Sequence, residues 1–136
     1  MATKAQLNWT DGFQFVARAD NGAGLILDSS DGGSGPTPMQ MVLMGVAGCT
    51  AMDVVSILKK KRASISDLQV NISGDQAEEH PKRYTDINIE FVVHGKGVKP
   101  LDVERSIELS VTKYCSAMAS VNANVAHTYR IVEDEE

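Results

Sequence analysis

The segment PTPMQMVLMGVAGCTAMDVVSILKKKR, Pro36–Arg62, decides how this chain folds. It predicts one long helix, apolar nearly all the way round, with Cys49 at its middle. Thr37 suits the N-cap, Pro38 the first helical position, and Gln40 falls three residues after the cap. That is a T-x-x-Q capping box, in which each side chain satisfies an amide left unpaired at the helix start. Lys59, Lys60, Lys61 and Arg62 complement the negative end of the helix dipole. About 25 residues rising roughly 1.5 Å each make a rod nearly 40 Å long. Gly45, Ala47, Gly48 and Ala51 would let another backbone approach closely. A 136-residue chain has little material to cover such a rod on all sides, and a symmetric second copy would supply the rest. Met39, Met41, Met44 and Met52 are expected as pliable core packing.

Upstream, Gln6–Trp9 and Phe13–Ala17 flank Thr10-Asp11-Gly12, and an Asp-Gly pair between apolar runs predicts a hairpin. Gly24–Asp28 predicts a third strand. Ser29–Gly35, SSDGGSG, holds three glycines and three serines in seven residues and is a loop. It lacks the lysine and the strand–loop–helix setting of a phosphate cradle.

Downstream, Leu68, Val70 and Ile72 alternate with Gln69, Asn71 and Ser73. Thr85, Ile87, Ile89, Phe91 and Val93 alternate over Tyr84–His94. Both read as antiparallel strands with one buried face, joined by the polar segment Gly74–Arg83 and stopped by Gly95–Gly97. After Pro100, Val103, Ile107, Val111 and Tyr114 recur at helical spacing. Cys115 follows as that helix ends, a place expected to be mobile or partly exposed. Ser116–Val121 would form a short turn or helix and Val125–Val132 a closing strand. The order βββ-α-ββ-α-β defines an α+β fold, with residues 1–136 as one domain.

Composition narrows the function. The net charge of −5 and the scattered basic residues disfavour nucleic acid, which needs a concentrated basic face. The acidic end Glu133–Glu136 is expected to be solvated and frayed. MATKAQLNWT has no apolar h-region of a secretory signal. Met39–Leu58 carries Gln40, Asp53 and Ser56, which suits a buried helix better than a membrane span. A cytoplasmic protein with free thiols and no membrane association is the resulting expectation.

Cys49 and Cys115 are the two cysteines, 66 residues apart, unlike a CxxC pair or a zinc knuckle. A thiolate that attacks a peroxide oxygen becomes a sulfenic acid, and a second thiol then condenses with it to a disulfide. Two buried, inert thiols are the competing reading. Cys49 lies too deep in its helix for the dipole to activate it, and Asp53, one turn on, disfavours a thiolate. Arg18 and Lys113 are the available cations. His80, His94 and His127 show no metal-ligand spacing, so no metal is expected.

The block GPTPMQMVLMGVAGCTAMDVVSILKKKR, with Cys115 in TKYCSAMASV, resembles the OsmC/Ohr family of osmotically inducible and organic hydroperoxide resistance proteins, in its YhfA-like branch. The resemblance covers nearly the whole chain. It implies an intertwined homodimer, with antiparallel sheets wrapped around two long central helices and active sites at the dimer interface. It implies that Cys49 attacks an organic hydroperoxide, that Cys115 resolves it, and that no cofactor is held. The reductant would be an external dithiol such as dihydrolipoamide. The family's thiolate-stabilising arginine comes from the first hairpin, where Arg18 is the only arginine. Peroxidase members carry a glutamate after the proline matching Pro38; here that residue is Met39, followed by Gln40. The alternative is a non-catalytic dimer that binds a small apolar ligand at the cysteine pocket.

Overall fold

The computed structural model describes residues 2–135; Met1 and Glu136, the last residue of the acidic end, lie outside them. The described chain is α+β and divides into two compact units, one up to Val42 and one from Leu43 onward.

The first unit is built on a three-stranded antiparallel sheet, β1 (Ala5–Asp11), β2 (Gln14–Ala19) and β3 (Gly24–Leu27), in the order β1-β2-β3. Its hairpin turns at the expected Asp-Gly: Gly12 takes φ 53°, and the Trp9 indole N–H donates to the Gly12 carbonyl at 2.8 Å. The glycine–serine loop is less free than its composition predicts. Asp28, buried at its entrance, accepts from the backbone N–H groups of Ser29 (2.7 Å) and Ser34 (3.2 Å) and from the Ser34 hydroxyl. These bonds, led by the Ser34 hydroxyl, hold the Asp28 carboxyl below its ordinary pKa of 3.8. Leu7, Trp9 and Phe13 are nonetheless exposed, and every residue of β1 faces solvent.

Helix α1 (Pro38–Lys60) begins as expected. Gln40 N–H donates to Thr37 Oγ1 at 3.1 Å, and Thr37 N–H donates to Gln40 Oε1 at 3.0 Å, so both halves of the capping box are made. Its exit differs from expectation, because the helix stops at Lys60 and Arg62 adopts φ 59°. Arg62 N–H bonds to the Lys59 carbonyl and Ala63 N–H to that of Leu58, a Schellman termination with arginine where glycine is usual. Only the stripe Val46, Thr50, Val54 and Leu58 is buried. Met44 and Met52 are 53% and 75% exposed, so they are not core packing within the chain. The helix is long and apolar enough to cross a membrane by length and composition, with 22% of its most apolar window buried.

In the second unit β4 (Ser64–Gln76) pairs antiparallel with β5 (Tyr84–Lys96), and Leu68, Val70 and Ile72 turn inward on β4 as their alternation predicts. Ile87, Ile89, Phe91 and Val93 of β5 form the centre of the core. The chain then passes through α2 (Pro100–Leu109), a π-helical turn (Ser110–Tyr114) and α3 (Ser116–Ala119) to β6 (Asn124–Glu133). β6 lies parallel to β5, so the unit contains one crossover that the antiparallel reading omitted. The π turn also breaks the expected helical stripe: Val103 and Ile107 are buried, but Tyr114 is 49% exposed. Glu133 and Asp134 are not frayed. The Glu133 carboxylate accepts from Gly97 N–H at 2.9 Å, and the Asp134 carboxylate accepts from the Ser66 hydroxyl at 2.6 Å.

Candidate functional site

Within the second unit, three elements bring the two cysteines together. Cys49 flanks the buried stripe of α1, and Asp53, four residues on, shares its face of the helix. Cys115 is delivered by the π turn, whose wider coil lets Cys115 N–H bond to the Ser110 carbonyl at 2.8 Å. The chain then goes extended, and Cys115 becomes the N-cap of α3, its sulfur accepting from Met118 N–H at 3.4 Å. The Cys49 sulfur, the Cys115 sulfur and a carboxylate oxygen of Asp53 all lie within 4.8 Å of one another. Both cysteines are free thiols, Cys49 half-buried and Cys115 buried. The expected partial exposure of Cys115 is therefore wrong. At 4% exposed, it is enclosed because its helix cap folds the sulfur inward.

That enclosure has an electrostatic result. Burial pushes the Cys115 thiol up to about 11, reinforced by the Cys49 thiol and the Asp53 charge and opposed by the Met118 amide. Asp53 is itself held in place. The Ser110 hydroxyl donates to its Oδ2 at 2.8 Å and lies 2.8 Å from the Thr50 hydroxyl. Thr50 and Ser110 are fully buried. Two hydroxyls and a carboxylate thus form a satisfied polar chain beside the thiols, which removes the cost of burying them unpaired. Thr50 and Ser110 were not legible as site residues, since nothing local marks either of them.

Arg18 lies on β2 in the first unit, with Gln6 and Gly24 as its strand partners and an exposed side chain. Lys113, the other candidate cation, places its ammonium 5.2 Å from the Tyr114 ring centroid. A cavity of about 320 Å³, lined by Asp53, Ser56, Ile57, Lys60, Leu109 and Tyr114, shares Asp53 with the cysteine cluster.

The fold agrees with the family comparison. The OsmC-like protein family matches over residues 31–130, and the chain belongs to that family. It falls in the YhfA-like branch of OsmC/Ohr proteins. It is 38% identical over 131 residues to Protein YhfA of Escherichia coli strain K12, covering 95% of this chain and 98% of that one. Among solved structures, a hypothetical protein from Aquifex aeolicus VF5 superposes with a TM-score of 0.89 at 28% identity, over 99% of both chains. The organic hydroperoxide resistance protein OhrB of Bacillus subtilis shares the fold at a TM-score of 0.63 and 16% identity, over 96% of this chain and 98% of that one.

Proposed function

We propose that this protein is a cytoplasmic, homodimeric, thiol-dependent peroxidase that reduces organic hydroperoxides. The observation that carries this reading is the approach of the Cys49 and Cys115 sulfurs within one cluster of the second unit. The unequal burial of the two thiols supports the proposed roles: Cys49, half-buried, as the attacking residue and Cys115, buried, as the resolver.

In the cycle, the Cys49 thiolate attacks the terminal peroxide oxygen, the O–O bond breaks, and the departing alkoxide takes a proton to leave as alcohol. Cys49 is then a sulfenic acid. The Cys115 sulfur attacks the Cys49 sulfur, and the thiol proton and the hydroxyl leave as water. The sulfurs must close from within 4.8 Å to the roughly 2.0 Å of a disulfide. Cys115 stands at the junction between the π turn and a four-residue helix, with extended backbone (φ −75°, ψ 94°), and that junction is where the closure is proposed to occur. An external dithiol such as dihydrolipoamide restores both thiols by exchange. Arg18 is assigned to steady the Cys49 thiolate, in keeping with the family resemblance.

The alternative, a non-catalytic dimer binding a small apolar molecule, draws on the burial that holds Cys115 protonated. One equivalent of cumene hydroperoxide added to reduced protein separates the two. The peroxidase reading requires a Cys49–Cys115 disulfide, mapped by mass spectrometry, that is absent in Cys49→Ser. Retention of both thiols overturns it.

A further inference from the structure

Two thiols and a carboxylate gathered in one cluster form a donor set suited to a soft or borderline cation. Cys49, Asp53 and Cys115 bring two sulfurs and one carboxylate oxygen within 4.8 Å of one another. A tetrahedral zinc ion with bonds of about 2.0–2.3 Å spaces its ligand atoms about 3.5–3.8 Å apart, so about an ångström of closure completes three corners. We propose that the reduced protein binds one zinc ion per chain through Cys49 Sγ, Cys115 Sγ and the Asp53 carboxylate, with water in the fourth position.

Two further features of the cluster fit such a site. The donor set, two thiolates and a carboxylate, is one that zinc accepts and that magnesium or calcium does not. The ligands also have the outer partners that orient metal ligands. Ser110 donates to Asp53 Oδ2 and is itself bonded to buried Thr50, and Met118 N–H bonds to the Cys115 sulfur. A carboxylate has lone pairs to spare after accepting one hydrogen bond, so the Ser110 contact leaves Asp53 able to coordinate. No spaced sequence motif announces the site. Cys49 and Asp53 share one turn of α1, and Cys115 arrives 66 residues later through the π turn. Zinc binding does not depend on the peroxidase reading. If both hold, bound zinc keeps the thiols reduced and protects them from hydroperoxide.

The test uses reduced, metal-free full-length protein without any hydroperoxide, so its result is separable from the peroxidase experiment. Zinc is titrated against a chromophoric chelator, and cobalt(II) is substituted as a spectroscopic probe. The expected result is one zinc per chain, with thiolate-to-cobalt charge transfer of two-thiolate intensity and the visible bands of a tetrahedral ion. Cys49→Ser and Cys115→Ser are expected to weaken binding at least about 100-fold, and Asp53→Asn at least about tenfold. Failure to compete with the chelator overturns the proposal. So does zinc binding that survives the double cysteine variant, which would assign the metal to His80, His94 or His127. The cobalt spectrum of the unaltered chain decides independently if a variant fails to fold: absence of thiolate charge transfer refutes the site.

Discussion

The two sheets have three strands each, yet they handle their apolar residues in opposite ways. In the second unit β5 is flanked by β4 and β6, and Ile87, Phe91 and Val93 are fully buried. In the first unit Trp9 is 67% exposed and Phe13 75% exposed, and β1 buries nothing. A three-stranded sheet becomes stable when it packs a hydrophobic face. The second unit finds that packing among its own residues. The first displays aromatic surface of the kind proteins reserve for association. The exposed Met44 and Met52 on α1 carry the same message. We read both as surfaces meant for a second copy, which is the basis on which the homodimer is proposed.

Phe91→Ala sharpens this contrast most. It is expected to cost about 3–5 kcal/mol in urea unfolding at any protein concentration, as truncation of a core phenylalanine does. Phe13→Ala is expected to act through association instead. It should leave dilute protein within about 0.5 kcal/mol of the parent, as for an exposed site, while raising the dissociation constant seen by sedimentation. Equal, concentration-independent losses for both variants would break the comparison.

The units should also differ at the extremes of pH. Cys115 in the second unit has a folded pKa raised from 9.0 to about 11, so the folded state holds a proton that the unfolded state has released. Its contribution is present below pH 9 and is lost as pH rises toward 11, a fall of about 2–3 kcal/mol. Urea midpoints from pH 8 to 11 should show this slope, and Cys115→Ser should flatten it. Asp28 in the first unit has a lowered pKa, led by the Ser34 hydroxyl. Its contribution is present above the ordinary 3.8 and is lost as pH falls through the lowered value.

Between these two in size lies a difference between the ends of α1. The entry, in the first unit, is satisfied by Thr37 and Gln40, whereas the exit, in the second, holds Arg62 at φ 59°. Arg62→Gly is expected to stabilise the protein by up to about 1 kcal/mol, since glycine adopts that conformation without strain. Thermal unfolding measures it. The Asp28 effect is the smallest expected, and Asp28→Asn should shift only the acid limb.

What could be read from the sequence was local. The capping box, the Asp-Gly hairpin and the alternation along β4 and β5 are written within a few residues, and the structure keeps each of them. What could not be read depends on distant partners. Nothing near Asn124 says that β6 will lie parallel to β5. The π turn at Ser110 leaves no composition signature, and it is the π turn that puts Cys115 indoors and Tyr114 outdoors. Asp53 was visible as a neighbour of Cys49, but its contact with Ser110 and its approach to Cys115 required the fold. Asp28 likewise shows its role only when the loop closes back on it.

The central claim is that Cys49 is the atom that meets the peroxide. Cys115→Ser protein, reduced and treated with one equivalent of cumene hydroperoxide in the presence of dimedone, tests it most directly. With no resolving thiol, the sulfenic acid should persist, and peptide mass spectrometry should find one dimedone adduct per chain, on Cys49. An unmodified Cys49 after the hydroperoxide has been offered would contradict the account.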